Sequence, residues 1–493
     1  MIQLRSLLDS MTVKRIIGPA DVMVAGIASD SRKVRKNFIY VAIPGKHYDG
    51  NDFIAEALVR GCSVVVGERF IDIMGECTFV EVPDVRRALA ELAHTFYGKP
   101  SDKVTMIGIT GTNGKTTVSH LIETMLQSIG CITGLLGTIE YRFTDYFYRA
   151  NMTTPDAQFL NYILSKMVQE NVDKVVMEVS SHALEQKRVD CIDFDIGVFT
   201  NLTSEHLDYH QTLENYLNCK TKLFTSMDFS KGDHRGAVIN IDDPCGRYIA
   251  ESMPKGSVTT YGIDTSADVR AIDIQLGKEN LQFTVCCGDE NERFNIPLIG
   301  RHNVYNSLAA IGVGYLLGMR LRDMKDGLAS FGGVPGRLQR IPCAHPFSVY
   351  VDYAHTEDAL RQVLQTLRSI HSGRMIVVFG CGGDRDALKR PVMGEIACKY
   401  ADMSVLTSDN PRSEDPLKII SQIEKGFWNN SYHVIPNRKE AIQYAILQCR
   451  PDDVLLIAGK GHEKYQIIGN SVFPFDDVEV TRNFLLERKY VAV

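Results

Sequence analysis

Short apolar runs alternate with amphipathic segments along the chain, and this alternation predicts an α/β protein. In residues 1–98 the runs at 38–43 and 63–68 are β-like, and residues 51–61 between them have helical spacing. The segment 97–103 contains glycine, proline and charged residues, as linkers do. We therefore expect a small α/β domain over 1–98.

The middle of the chain begins with the pattern of a strand, a glycine-containing loop and a helix, over residues 104–130. The apolar runs at 172–181 and 195–203 lack an alternating polar face, as expected for parallel strands that helices cover on both sides. The glycine-rich segment 331–340 is typical of a second linker. These features predict a central domain over 99–335 with a mostly parallel sheet.

The last part of the chain repeats the alternation, so we expect a Rossmann-like α/β domain over 336–493. Its apolar runs end in Gly, Asp, His or Asn and cover residues 347–355, 374–383, 402–411 and 452–461. Ligands of open α/β sheets gather at the carboxyl ends of the strands, so these ends are the expected place of the chemistry.

Composition narrows the possible functions. The 493 residues, 44% of them hydrophobic and 23% charged, fit about three domains with packed cores. The net charge of −6 gives no electrostatic reason to expect a nucleic acid as partner.

Twelve cysteines without a CxxC pair favour a reducing compartment over a disulfide framework or zinc site. With no signal-peptide core and no apolar run of about 18 residues, we expect a cytoplasmic protein rather than a membrane protein. We also expect a monomer.

Residues 109–117, ITGTNGKTT, lie between a predicted strand and a predicted helix and indicate a nucleotide-binding loop. Gly111 and Gly114 permit a tight turn whose N–H groups can bind phosphate oxygens. Lys115 supplies a cation for the terminal phosphates, and the Thr116 hydroxyl suits Mg²⁺. The common pattern GxxxxGK[ST] would place its first glycine at position 109, but this chain has Ile109 there and a glycine one position earlier, at Gly108. By itself the loop leaves the reaction open.

The loop sequence TGTNGKT resembles that of the Mur ligase family and of its folylpolyglutamate synthetase relatives. Further segments match the family in order across all three expected domains: TTP (153–155), MEVSSHAL (177–184), TNLTSEHLDYH (200–210), YLNCKTKLF (216–224), RHNVYN (301–306), GRLQ (337–340), VDYAHTEDAL (351–360), GCGGDRD (380–386), DNPR (409–412) and GKGHE (459–463). The resemblance is strongest to members that add the third amino acid to the peptidoglycan precursor UDP-MurNAc-L-Ala-D-Glu at the expense of ATP. It implies a UDP-sugar-binding domain, a central ATP-binding domain and a C-terminal amino-acid-binding domain.

The resemblance also implies catalytic roles. Such ligases phosphorylate a carboxylate to an acyl phosphate that an amine attacks, so Mg²⁺ and a lysine must neutralise phosphoryl charge. The implied catalytic residues are Lys115, Lys220, Glu178 and His206, and the implied metal-binding set is Thr116, Glu178, His206 and Lys220. Lys220 matches a lysine that CO₂ converts into an anionic carbamate, whereas the sequence alone favours an ordinary helix lysine.

Two binding sites follow from the resemblance. The implied ATP contacts are Gly111, Thr112, Asn113, Gly114, Lys115, Thr116, Thr117, Asn303, Arg337 and Asp352. A carboxylate such as Asp352 suits ribose hydroxyls, and Arg337 suits phosphate charge. The implied UDP-MurNAc-dipeptide contacts are Ser31, Thr153, Thr154, Ser180, Gln186 and Arg188. Hydroxyl and amide groups suit a sugar and a peptide, and Arg188 suits a carboxylate or a diphosphate.

The segment DNPR discriminates between family members that add different amino acids, since members that add meso-2,6-diaminopimelate typically carry it. Diaminopimelate is lysine with a second carboxylate at its far end, which Arg412 can bind with two parallel hydrogen bonds. Lysine would leave Arg412 unpaired. The implied diaminopimelate contacts are Arg385, Asp409, Asn410, Pro411, Arg412, Gly459 and Glu463.

Alternatives remain open at this stage. The same reaction with L-lysine and a folylpolyglutamate-type ligation are alternatives within the family. A nucleotide-switch ATPase or binding protein without ligase activity is the alternative from another class. Phosphate release that depends on both the acceptor and the amino acid separates a ligase from such a switch. A nucleic-acid-dependent ATPase is disfavoured because the chain lacks a basic signature.

Overall fold

A computed structural model of the chain describes residues 1–9, 11–45, 48–71, 77–203, 207–232 and 234–488. The chain forms two compact units. The first comprises Met1–Arg270, Val285–Glu292 and Tyr305–Gly327, and the second comprises Ala271–Thr284, Arg293–Val304 and Leu328–Val493. Helices and mostly parallel sheets occur in both, which confirms the expected α/β class.

The first part of unit one contains β1 (Ile2–Gln3), α1 (Leu4–Leu8), β2 (Arg15–Ile17), β3 (Met23–Val24), β4 (Gly26–Ala28), β5 (Phe38–Val41), α2 (Ile54–Val59), β6 (Cys62–Gly67), β7 (Thr78–Glu81) and α3 (Val85–Phe96). A five-stranded sheet has the order β2-β7-β6-β5-β4, in which only β2 is antiparallel to its neighbour. The fully buried valines 64–66 of β6 form its centre, because β-branched side chains pack well on a pleated surface. Asp84 caps α3 by accepting a hydrogen bond from the backbone N–H of Arg87.

The next elements are β8 (Thr105–Thr110), α4 (Lys115–Ser128), β9 (Thr133–Leu136), β10 (Glu140–Phe143), β11 (Tyr146–Arg149), α5 (Ala157–Gln169), β12 (Lys174–Glu178), α6 (Ser181–Glu185), β13 (Ile196–Phe199), α7 (Leu207–His210), α8 (Leu213–Thr225), β14 (Gly236–Asn240), α9 (Pro244–Ser252), β15 (Val258–Gly262), β16 (Val269–Leu276), β17 (Leu281–Cys287), β18 (Glu290–Ile296), α10 (Arg301–Leu316) and α11 (Leu321–Ala329). Within unit one the strand order is β11-β10-β9-β12-β8-β13-β14-β15. The six strands β9, β12, β8, β13, β14 and β15 are parallel, whereas β10 is antiparallel to both β9 and β11.

Strand β8 marks the point where the chain changes direction across this sheet. The chain passes from β8 to β9 on one side, and later from β12 to β13 on the other side of β8. The loops at the carboxyl ends of neighbouring strands diverge at such a point and leave a crevice for a ligand. The predicted phosphate loop follows β8 directly.

Unit two contains β19 (Gln339–Ile341), β20 (Ser348–Asp352), α12 (Glu357–Ile370), β21 (Met375–Phe379), α13 (Lys389–Tyr400), β22 (Met403–Leu406), α14 (Pro416–Glu424), β23 (Tyr432–Val434), α15 (Arg438–Gln448), β24 (Val454–Ala458), β25 (Tyr465–Ile468), β26 (Ser471–Pro474) and α16 (Asp477–Glu487). Its main sheet has the order β19-β20-β24-β21-β22-β23, and all strands except β19 are parallel. The segments VDYAH, GCGG, DNPR and GKGHE therefore follow the carboxyl ends of neighbouring strands.

Among the described residues, no helix is both long enough and apolar enough to cross a bilayer.

Candidate functional site

Two glycines fix the conformation of the loop between β8 and α4. Gly111 and Gly114 have φ angles of 145° and 91°, a region that other residues rarely adopt. A Cβ at Gly111 would overlap Oγ1 of Thr200, and a Cβ at Gly114 would overlap Oδ1 of Asn306. Gly114 is also the N-cap of α4, whose positive end favours anions.

The end of β13 holds the same loop in place. The backbone N–H of Thr112 donates to the carbonyl of Asn201 at 2.8 Å, and that of Asn113 donates to its Oδ1 at 2.9 Å. The Thr200 hydroxyl donates to the carbonyl of Asn113 at 2.7 Å. Thr200 and Asn201 begin the segment TNLT, which resembles the family, but neither residue is among the predicted site residues.

The Lys115 ammonium lies against the loop. Its Nζ donates to the carbonyls of Gly111 at 2.9 Å and Thr112 at 2.7 Å. The neighbouring Thr116 and Thr117 are buried in the first turn of α4. A cation, two hydroxyls and a helix N-terminus thus occur together, as the sequence predicts for a phosphate site.

A buried carboxylate lies beside this helix. Oε2 of Glu178 accepts hydrogen bonds from the hydroxyls of Thr116 at 3.1 Å and Thr138 at 3.0 Å, and Oε1 accepts from the Thr138 N–H at 2.9 Å. The pairing of β12 with β8 places Glu178 opposite Ile109 and so brings it to the loop. Thr138 is not among the residues predicted from the sequence. Its position just after β9, a neighbour of β12, could have indicated that it lies near Glu178.

Lys220 is buried on α8, with 1% of its surface exposed. Its Nζ donates to the carbonyl of Gly111 at 2.7 Å and lies 4.3 Å from the ring centre of Tyr216, one helical turn earlier. The Thr112 hydroxyl donates to the Tyr216 hydroxyl at 3.3 Å. The position of Lys220 at the phosphate loop contradicts the reading of an ordinary helix lysine. Tyr216 is a second residue that sequence reasoning missed.

His206, predicted as a metal ligand, lies outside the described residues. In the part of the chain that the structure describes, no three His, Cys, Asp or Glu side chains are grouped as metal ligands. The remaining predicted set consists of a hydroxyl, a carboxylate and a lysine, from Thr116, Glu178 and Lys220.

Five of the six residues predicted to bind the nucleotide-sugar peptide form one cluster beside Glu178: Thr153, Thr154, Ser180, Gln186 and Arg188. The Thr154 hydroxyl donates to the backbone carbonyl of Glu178 at 2.8 Å and accepts from the Ser180 N–H at 3.0 Å. Oγ1 of Thr153 lies 3.1 Å from Oγ1 of Thr138. The structure therefore joins the predicted substrate residues to the predicted metal residues.

Arg188 extends this cluster. Its guanidinium donates to Oε1 of Gln186 at 2.6 Å and to the carbonyl of Thr154 at 3.0 Å. Burial lowers the pKa of this guanidinium, since a charged group loses hydration there. Ser31 is not part of the cluster among the described contacts. It lies in the N-terminal part of unit one and donates to Glu56 at 2.7 Å.

Three predicted ATP contacts lie in unit two. The guanidinium of Arg337 lies 4.7 Å from the ring centre of Tyr353, and its buried Nε has no hydrogen-bond partner among the described residues. Asp352 accepts from the N–H groups of Leu338 at 2.6 Å and Ala354 at 2.7 Å, while burial raises its pKa. The third contact is the buried amide of Asn303, which donates to the carbonyl of residue 299 at 2.8 Å.

The DNPR segment is tied to the loop after β21. The Gly383 N–H donates to the carbonyl of Asn410 at 2.9 Å, and Arg412 Nη1 donates to the carbonyl of Gly383 at 2.7 Å. Asp384 accepts from the Ser413 hydroxyl at 2.5 Å. Arg412 has a φ of 51°, in the left-handed region that residues other than glycine rarely adopt.

A buried arginine on α13 links the loop after β21 to the residues that follow DNPR. Arg390, 1% exposed, donates two hydrogen bonds of 2.8 Å to Glu414 and one of 3.2 Å to the carbonyl of Gly382. This pairing lowers the pKa of Glu414 to about 2. Glu414 also accepts from the Asp384 N–H at 2.6 Å.

The loop after β24 lies beside the DNPR segment. We call the cluster formed by the loops after β21, β22 and β24 the second-unit site. Gly459 has a φ of 115°, and a Cβ there would come close to Oδ2 of Asp409. Asn410 donates to Oε2 of Glu463 at 2.9 Å. Pro411 is buried, whereas Arg385 is exposed at the mouth of the loop after β21.

Comparisons with known proteins agree across nearly the whole chain. Three family models match: "Mur ligase family, catalytic domain" over 23–97, "Mur ligase middle domain" over 109–314, and "Mur ligase, glutamate ligase domain" over 336–461. The UDP-N-acetylmuramoyl-L-alanyl-D-glutamate–2,6-diaminopimelate ligase of Caldanaerobacter subterraneus subsp. tengcongensis is 45% identical over 96% of this chain and 97% of its own. The ligase of the same name from Bacillus licheniformis is 42% identical over 96% of both chains.

Solved structures show the same relationship. One described as a UDP-N-acetylmuramoyl-L-alanyl-D-glutamate–2,6-diaminopimelate ligase is 32% identical, covers 99% of this chain and 100% of its own, and has a TM-score of 0.70. A MurF ligase from Thermotoga maritima, solved in complex with ADP, has a TM-score of 0.62 and is 19% identical over 95% of this chain and 97% of its own. At that identity the second likeness shows the fold alone.

Proposed function

The chain belongs to the Mur ligase family, and from this premise we propose that it joins meso-2,6-diaminopimelate to UDP-N-acetylmuramoyl-L-alanyl-D-glutamate in an ATP-dependent reaction. The product is the UDP-MurNAc-tripeptide of peptidoglycan synthesis, made in the cytoplasm. We assign the UDP-sugar to residues 1–98, ATP to 99–335 and the amino acid to 336–493. The relatives named for this reaction align over nearly their full length.

The observation that carries the proposal is the convergence of Lys115, Thr116, Glu178 and Lys220 on one loop. A carboxylate must be activated before an amine can replace its oxygen. ATP transfers its terminal phosphoryl group to the dipeptide carboxylate, and the amine of diaminopimelate displaces phosphate from the acyl phosphate. Lys115 orients and neutralises the phosphoryl oxygens during transfer.

The residues fit Mg²⁺. Thr116 and Glu178 offer a hydroxyl and a carboxylate, the hard oxygen donors that this ion prefers, and their 3.1 Å hydrogen bond holds both at one point. Bound there, Mg²⁺ would neutralise charge on the phosphates. We assign His206 to the same metal-binding set.

We propose that Lys220 works as a carbamate formed with CO₂. A buried ammonium beside a metal would repel it, whereas a carbamate contributes two anionic oxygens. The side chain already lies at the loop, 2.7 Å from the carbonyl of Gly111. Carbamylation joins the neutral amine to CO₂ with loss of one proton, so Nζ would keep one N–H and gain a carboxylate group that could hold the metal.

The choice of amino acid rests on unit two. Arg412 binds the distal carboxylate of diaminopimelate, and Arg385 supplies a second guanidinium at the mouth of the site. Asp409 and Glu463 bind ammonium. Lysine has no distal carboxylate, so it would leave Arg412 without a partner.

Phosphate release by the purified protein with ATP, Mg²⁺ and UDP-MurNAc-L-Ala-D-Glu tests the proposal. The assay compares meso-diaminopimelate, L-lysine and no amino acid, and mass spectrometry identifies the product. We expect release and ligation with diaminopimelate alone. Efficient ligation of lysine would leave a ligase with another specificity, and release without any dependence on acceptor or amino acid would overturn the ligase assignment.

A further inference from the structure

The lysine of the GKGHE segment is fully buried in the second-unit site. Lys460 has 0% of its surface exposed, and its Nζ donates to Oδ1 of Asn410 at 3.2 Å and to Oε2 of Glu463 at 3.0 Å. The ring of Tyr465 lies 5.5 Å from the same Nζ. A buried ammonium is costly unless it is paired and hydrogen-bonded, and Asn410 and Glu463 provide these contacts.

Lys460 and the backbone N–H of Ile467 together determine how the amide of Asn410 is oriented. Oδ1 of Asn410 accepts from Lys460 and from the N–H of Ile467 at 3.0 Å, so Nδ2 must point the other way, toward Glu463. Asn410 is 3% exposed. The amide of Asn410 therefore links the DNPR and GKGHE segments by hydrogen bonds.

The two donors also determine which oxygen of Glu463 faces a ligand. Lys460 and Asn410 both donate to Oε2, at 3.0 and 2.9 Å. Within the described residues this leaves Oε1 for the ammonium of an incoming amino acid. The ammonium of Lys460 offsets the charge of one of the two carboxylates that Asp409 and Glu463 contribute to this site.

We propose that Lys460 is a positioning residue that sets the amino-acid preference of the ligase, by fixing Asn410 and Glu463 and by limiting the negative charge of their site. This inference rests on the proposed function. Without the ammonium, Oδ1 of Asn410 and Oε2 of Glu463 each lose one of their two hydrogen-bond donors, and the formal charge of the site becomes one unit more negative. The more negative site favours lysine, which has net charge +1, over diaminopimelate, which has none.

Lys460→Met tests this inference, because methionine retains much of the side-chain volume without the charge. Lys464→Met is the matched control, since Lys464 is exposed and directly follows the GKGHE segment. We expect the KM for diaminopimelate to rise about tenfold or more in Lys460→Met, while the KM for ATP changes by less than about twofold. The ratio of kcat/KM for diaminopimelate to that for lysine should fall. Lys464→Met should match the wild type.

An unchanged KM and an unchanged preference in Lys460→Met would overturn the inference. Equal losses toward ATP and diaminopimelate would also overturn it, since they would indicate a general structural role. If Lys460→Met is not recovered folded, Lys460→Gln removes the charge, keeps a hydrogen-bond donor and is judged by the shift in preference alone. Failure of the wild type to ligate either amino acid would count against the proposed function itself, so the two failures are distinguishable.

Discussion

The hydroxyl of Thr116 and the carboxylate of Glu178 are joined by a 3.1 Å hydrogen bond, although 62 residues separate them. Parallel pairing of β8 and β12 brings them together at the carboxyl edge of the sheet. A hydroxyl beside a buried carboxylate suits a divalent cation better than either group alone.

Glu178→Gln should therefore reduce ligation about 100-fold or more, because the amide keeps the shape but loses the charge that holds Mg²⁺. Phosphate release at several Mg²⁺ concentrations measures this effect. The control is Glu251→Gln, on an exposed position of α9. Activity near the wild-type level at low Mg²⁺ would exclude Glu178 as a metal ligand.

Lys115→Ala should nearly abolish turnover, because the phosphoryl group loses the cation that orients it. Loss of about 1000-fold in kcat is expected, with folding unchanged by circular dichroism. Lys103→Ala removes an exposed lysine and serves as the control. Retained turnover in Lys115→Ala would refute the assignment of the phosphate loop.

Removal of CO₂ and bicarbonate should lower the activity of the wild type, and added bicarbonate should restore it, because the carbamate on Lys220 forms reversibly. With ¹³C-labelled bicarbonate, a carbamate signal is expected in the wild type and in Lys222→Ala. Lys222 is exposed on the same helix, α8. A signal that persists in Lys220→Ala would place the modification elsewhere.

Arg412→Lys should weaken the use of diaminopimelate about 10- to 100-fold, because an ammonium cannot make two parallel hydrogen bonds to a carboxylate. The KM for ATP should remain near the wild-type value. Steady-state kinetics with each substrate varied in turn separates these effects. Equal losses for both substrates would argue against a specificity role.

The Arg390–Glu414 pair predicts a pH dependence of stability. The pKa of Glu414 lies at about 2 in the folded protein, below its ordinary value near 4.5. The stabilisation is therefore complete above the ordinary pKa and is lost as pH falls through about 2. Glu414→Gln should lower the Tm at neutral pH.

The same variant should approach the wild type between about pH 5 and about pH 2, because protonation removes the advantage of the native carboxylate. Thermal unfolding at several pH values measures the difference. Glu487→Gln, exposed at the end of α16, is the control. A difference in Tm that grows on acidification would contradict the assigned pairing.

The local sequence determined the α/β class, the phosphate loop and the strand ends that carry polar residues. Apolar runs of strand length and glycines at tight turns depend on nearest neighbours, so they can be read without the fold. The resemblance to the Mur ligases, which the comparisons confirmed, added the reaction. The placement of His206 and the site roles stay predictions.

Only the tertiary structure decided which distant residues meet. Lys220 has the sequence context of a surface lysine, and its burial at Gly111 follows from the packing of α8 against the sheet. Thr138 reaches Glu178 because β9 and β12 are parallel neighbours. Lys460 meets Asn410 across 50 residues because β22 and β24, which flank β21 in a parallel arrangement, end at the same edge of their sheet. Strand order is a long-range property, and no local pattern of residues encodes it.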